Sequence, residues 1–176
     1  MKSLSLAMLL TVAMAGGLAF SQDDTETAPK AKPSKEELKA ERIKKQGEKL
    51  KIKWYNTEKE AFDEAKKYNL PVWVLYSNPA TCGMCRALDS NIINSRQLKR
   101  EKGLFIGYRS TSPIPKYNCN KGMPTGAVVS PEGKHLCNLS YNPNMKPEEY
   151  IQKLQDSRDT VKREANVAET KKELGM

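Results

Sequence analysis

The chain reads as an α/β protein: three layers, with a central mixed sheet flanked by helices, and helical or disordered extensions at the N- and C-termini. Three observations lead there. Val72, Trp73, Val74, Leu75 and Tyr76 form a short apolar run with large side chains on both faces, as in a central strand covered by helices on either side. Cys82-Gly83-Met84-Cys85 follows that run and leads into a helix-compatible stretch, Arg86 to Ile93. Further on, two apolar runs flank Pro131-Glu132-Gly133-Lys134, a turn signature, and an amphipathic helix pattern closes the core.

Taken in order, residues 1–21 carry a signal-peptide pattern. Lys2 gives a positive start, Leu4 to Leu18 is mostly apolar, and Ala19-Phe20-Ser21 places small residues at −3 and −1. The run is shorter than the ~20 apolar residues of a spanning helix, so the expectation is cleavage, export and no stable membrane insertion afterwards. The expected location is the periplasm or the exterior, where disulfides persist. Residues 22–49 are a charged linker and an exposed helix. Residues 22–33 have no large apolar side chain to offset the entropy of ordering. Ser34 with Glu37 is a capping-box pattern, opening a helix over Glu36 to Lys49 with only Leu38 and Ile43 as large apolar residues.

The globular pattern occupies residues 50–157. Leu50, Ile52 and Trp54 alternate with lysines as in a half-buried strand. Thr57 with Glu60 forms a second capping-box pattern, and the helix behind it buries Ala61, Phe62 and Ala65 before Asn69 and Pro71 stop it. After the strand Val72 to Tyr76 and the helix following the cysteines, Ser95 caps a short turn. Gly103 then releases a strand, Leu104 to Arg109. A loop, Ser110 to Met123, leads to Pro124, then to a hairpin of Thr125 to Ser130 and His135 to Ser140. Pro147 starts a closing helix that turns Tyr150, Ile151 and Leu154 inward. Residues 158–176 are a charged helical tail.

Two thiols spaced C-x-x-C at a strand-to-helix junction can close a disulfide and open it again. The helix starting there aims unpaired N–H groups and its positive end at Cys82, which favours a thiolate, and Cys85 lies near enough to resolve a mixed disulfide. An inert disulfide and half of a structural zinc site are the blander readings. Cys119 and Cys137 are single and far apart, unlike the paired knuckles of a zinc ribbon, and so short a loop stabilises little. The strand and helix context favours exchange.

With that order of elements, residues 50–157 resemble the thioredoxin superfamily. Three segments carry the resemblance: Cys82-Gly83-Met84-Cys85, the Pro115-Lys116-Tyr117 approach, and Gly122-Met123-Pro124-Thr125 at the head of the hairpin. The resemblance implies a thioredoxin-like three-layer fold, Cys82 as nucleophile, Cys85 as resolving thiol, and Pro124 as a cis-proline beside them. It also implies that Met123 contacts substrate, with Thr125 next in the same segment. Two departures stand out. Thioredoxin has a buried acid in the strand before the motif, whereas Val72 to Ser77 has no carboxylate, and Thr81 stands where an aromatic residue precedes the first cysteine. Water or Arg86 is then left to handle the proton of Cys85. The nearest pattern is that of exported bacterial thioredoxin-like proteins.

Cys119 and Cys137 form a candidate structural disulfide, since leftover cysteines in an oxidising compartment usually pair. Closing the intervening loop would stabilise by about 3 kcal/mol. A third redox thiol at Cys119, or two reduced buried thiols, are the alternatives. His135 is expected at a solvent-facing hairpin end, and Trp54 and Trp73 in the core. Met84 and Met123 read as an apolar rim, with Cu(I) binding by the thiols and a methionine as the competing function. The Asn138-Leu139-Ser140 sequon falls in a strand, where glycosylation is disfavoured. The net charge of +9 loses only Lys2 with the leader, and its lysines are interleaved with acids in both tails. No basic stretch is laced with aromatics, so nucleic acid is not an expected partner. The resulting expectation is an exported thiol–disulfide oxidoreductase acting on protein thiols and disulfides, served by a redox partner and needing no cofactor or metal. A non-catalytic interaction module is a further alternative.

Overall fold

The structure is a computed structural model and describes residues 34–175. The expected leader, residues 1–21, and the linker to residue 33 lie outside the described residues. Five strands form one sheet in the order β1-β3-β2-β4-β5: β1 Trp54–Tyr55, β2 Val72–Tyr76, β3 Ile106–Ser110, β4 Thr125–Val129 and β5 His135–Asn138. β1 and β2 both run parallel to β3, while β4 runs antiparallel to β2 and to β5. Among the described residues the α-helices are α1 Lys35–Glu48, α2 Glu58–Tyr68, α3 Gly83–Leu88, α4 Arg96–Arg100 and α5 Pro147–Glu173.

The three layers follow from the two-residue repeat of the strands. On one face Val72, Val74, Ile106, Ala127 and Val129 pack against Ala61 and Ala65 of α2. On the other, Trp73, Leu75, Phe105 and Val128 pack against Leu88, Ile92, Leu98 and the α5 residues Tyr150, Ile151 and Leu154. Trp73 is the keystone of this second layer, fully buried with ring centroids of Trp54 and Phe105 each 5.4 Å away. Its indole N–H donates to the Leu139 carbonyl at 3.2 Å, so burying it leaves no orphaned donor. The Trp54 ring lies flat over Gly107, where an added Cβ would approach ring carbon to 2.4 Å.

Several local expectations change. The half-buried strand from Leu50 shortens to Trp54–Tyr55, because Lys51 instead makes an isolated antiparallel bridge to Lys102. Ile52 and Trp54 pack on one core cluster and Leu50 on the other, so the expected shared face holds only from Ile52 onward. The Ser34–Glu37 capping box forms. The Thr57–Glu60 box does not: Thr57 holds the N-cap backbone conformation, but its hydroxyl donates to the Glu60 carboxylate at 2.6 Å rather than capping an N–H. Asn69 ends α2 in the left-handed region at φ 52°.

The helix after the cysteines widens into a π-turn over Asp89–Ile93, with Asn94 N–H donating to Asp89 O at 2.7 Å. Asp89 is held there by a two-pronged ion pair to Arg109 at the end of β3, and the Arg109 guanidinium stacks 5.1 Å over Trp54. At the C-terminus, α5 runs unbroken for 27 residues, about 40 Å. Ser157 and Val161 are buried, so the core-facing part of this helix continues past residue 157 before a charged remainder. Among the described residues, no helix is long and apolar enough to cross a membrane.

Candidate active site

The site is built where β2 ends. Ser77 N–H continues the β2–β3 ladder by donating to Ser110 O at 2.9 Å, and the chain then leaves the sheet. Asn78 shapes the departing loop. Its side-chain oxygen accepts Ala80 N–H at 3.1 Å, and its carbonyl accepts Thr81 N–H at 3.3 Å and Cys82 N–H at 3.0 Å. This delivers Cys82 to the N-cap of α3 in extended conformation, φ −118° and ψ 116°. The Cys82 sulfur takes the place of a capping oxygen and accepts Cys85 N–H at 3.1 Å. An anion at that sulfur meets the unpaired donors of the first helical turn.

The two thiols differ in access. Cys82 is part-exposed, Cys85 is fully buried one turn inward, and neither is bridged. Burial, and next the Cys82 thiol as neighbour, push the Cys85 pKa above its ordinary value. The Ser77 hydroxyl and the Asn78 backbone pull the other way. Ser77 is itself fully buried, and its Oγ completes no hydrogen bond within the usual geometric limits.

Facing the thiols is the loop before β4. The Met123–Pro124 peptide is cis, and the Met123 carbonyl lies 3.7 Å from the Cys82 sulfur, within reach of its S–H. Thr125 begins β4 opposite Tyr76, and its hydroxyl donates to Gly122 O, tying the loop to the strand. Gly122 takes φ 98°, a conformation that side chains resist. Met84, between the two cysteines in the first turn of α3, is 47% exposed, and Met123 opposite Cys82 is part-buried. Cys82, Cys85, Met123, Pro124 and Thr125 thus come together at one end of the sheet.

The other expected residues fall elsewhere. Arg86 donates to Pro79 O at 2.9 Å, bracing the loop rather than serving the thiols. The expected Cys119–Cys137 bridge is not formed. Cys119 packs beside Val74 on the α2 face of the sheet, whereas Cys137 packs on the opposite face near Ser157, so β4 and β2 stand between them. Burial raises the Cys119 pKa to about 11. His135 is exposed and contacts Asn138 at 3.0 Å. Ser77 and Asn78 were missed as site residues. The available signal was Ser77-Asn78 itself, a polar pair directly after an apolar strand and before Pro79, where a turn is expected.

No family model matches the chain, and no curated protein matches it. Solved structures that resemble it include a DsbH oxidoreductase, 17% identical with TM-score 0.48, the match covering 64% of this chain and 88% of that one. Another is the solution structure of a thioredoxin from Thermus thermophilus, 16% identical with TM-score 0.45, covering 61% of this chain and 87% of that one. By its strand order and layering the fold is thioredoxin-like, and its C-x-x-C pair stands where the central strand hands over to a helix.

Proposed function

We propose that the protein is an exported thiol–disulfide oxidoreductase that exchanges disulfides with protein substrates through Cys82 and Cys85. One observation carries the reading: an accessible sulfur at a helix N-cap, a second sulfur sealed directly behind it, and an apolar, backbone-lined wall across from both. An inert disulfide has no need of that asymmetry. In the reducing direction the Cys82 thiolate attacks a substrate disulfide and forms a mixed disulfide, releasing one substrate sulfur. Cys85 then attacks Cys82, forming the Cys82–Cys85 bond and releasing the second substrate sulfur as a thiol. The reverse sequence oxidises a substrate dithiol. Export to an oxidising compartment rests on the pattern of residues 1–21. Partners are protein thiols and disulfides, with a separate redox protein to reset the pair.

Dithiothreitol-coupled reduction of insulin tests the proposal. We expect turnover by the wild-type protein, a loss of at least about a hundredfold in Cys82→Ser, and accumulation of a covalent substrate adduct in Cys85→Ser. Equal insulin reduction by wild type and Cys82→Ser would falsify the assignment.

A further inference from the structure

We infer that Arg86 and Lys121 are specificity-determining residues of the exchange reaction, and that the preferred protein substrates carry Asp or Glu beside the reacting cysteine. The inference rests on the reaction proposed above and names its substrate class. The surface around Cys82 is built from two segments, residues 77–88 and residues 110–131, and neither contains an Asp or Glu. Besides the exposed Arg86, their cations are Lys116 and Lys121. Lys116 is taken up by Glu58 at the start of α2. Arg86 and Lys121 are both exposed, and among the described residues neither meets a carboxylate within ion-pair distance. Carboxylates on the neighbouring elements are turned to other partners: Asp89 pairs with Arg109, Asp63 with Lys59, and Glu60 accepts the Thr57 hydroxyl.

Arg86 is held in place before any substrate arrives. Its Nη1 donates to Pro79 O at 2.9 Å, and its Nη2 lies 3.8 Å from the point that a Cβ on Gly83 would occupy, so the guanidinium lies against the residue next to Cys82. A tethered guanidinium has already lost much of its rotamer freedom, and its unused N–H groups can fork onto a carboxylate. Lys121 belongs to the facing loop, two residues before Met123, whose carbonyl is 3.7 Å from the Cys82 sulfur. Each of the two segments that flank the sulfur therefore carries one cation. Together they draw an acidic flank and repel a basic one, an effect exerted on encounter rate and weakened by salt. In the first step the Cys82 thiolate bonds to one substrate sulfur and the substrate S–S bond breaks. The other sulfur leaves with the electron pair and takes a proton from solvent, and Cys85 then completes the two-electron reduction. The cations change how often the encounter occurs and leave its balance untouched.

The test is single-turnover reduction, by the reduced full chain, of symmetric peptide disulfides Gly-Xaa-Cys-Xaa-Gly in which Xaa is Glu, Gln or Lys. Each rate is divided by that of the same peptide with dithiothreitol, which removes the effect of the flanks on the disulfide itself. We expect the Glu peptide to react about tenfold faster than the Lys peptide at about 20 mM salt, and about twofold faster at about 500 mM. Arg86→Gln combined with Lys121→Gln should bring this ratio near one, while Arg86→Lys combined with Lys121→Arg should keep it. Loss of the Pro79 brace slows every peptide alike, so the ratio reads charge and not damage to the loop. Should the Arg86→Gln protein not fold, Lys121→Gln alone is expected to lower the ratio to about threefold. A wild-type protein that reduces none of the peptides overturns the exchange reaction and this selectivity with it. Equal normalised rates on the Glu and Lys peptides, or a ratio that survives removal of both cations, overturns the roles of Arg86 and Lys121 alone.

Discussion

Single residues set the chemistry, and Cys119 shows how strongly position decides what a thiol does. It is as deeply buried as Cys85, yet its nearest polar neighbours are the carbonyls of Val74 and Tyr117, and its pKa rises from 9.0 to about 11. The folded chain therefore holds this proton after the unfolded chain has released it. The stabilisation is complete below about pH 9 and is lost between about pH 9 and pH 11, an effect of about 3 kcal/mol. Urea unfolding across that range should show a falling stability in the wild type and a flatter dependence in Cys119→Ala. The thiol pair and the proline were legible in the sequence because each is local. The part played by Asn78 was not, because it lies in the Ala80, Thr81 and Cys82 N–H groups that its side chain and carbonyl gather as the chain turns out of the sheet.

At the scale of elements, order and type followed from apolar periodicity, and the departures came from contacts between distant segments. The π-turn at Asp89–Ile93 is the clearest case. Nothing within DSNII demands it, but Arg109, 20 residues on, fixes Asp89 in a pair whose side chains are each only 22% exposed. We expect Asp89→Ala to destabilise the protein by about 2 kcal/mol, measured by chemical denaturation, since it strands a largely buried guanidinium against Trp54. An unchanged midpoint would show that the stacking alone holds Arg109. The unformed Thr57 cap has the same lesson in miniature: the sequence supplies the residue pair, and side-chain geometry chooses which bond they make.

For the whole molecule, the closing helix ties the redox end of the sheet to the far end. Val161, 3% exposed, lies beyond the boundary expected at residue 157, and Lys162 reaches Glu48 of α1 at 3.6 Å. Charge dominates this stretch, which is why its packing was hidden: one valine per two turns gives a weak periodic signal. Val161→Ala is expected to cost about 2 kcal/mol of stability without altering insulin reduction, read by thermal unfolding beside the activity assay. The separation of Cys119 and Cys137 by the sheet has a consequence for turnover. Held on opposite faces, the two cannot become each other's disulfide and so store no electron pair; under the proposed reaction a molecule oxidised at Cys82–Cys85 would wait for a reductant from outside. Substrate and reductant would then compete for one accessible sulfur, Cys82, so that an excess of either would slow the other.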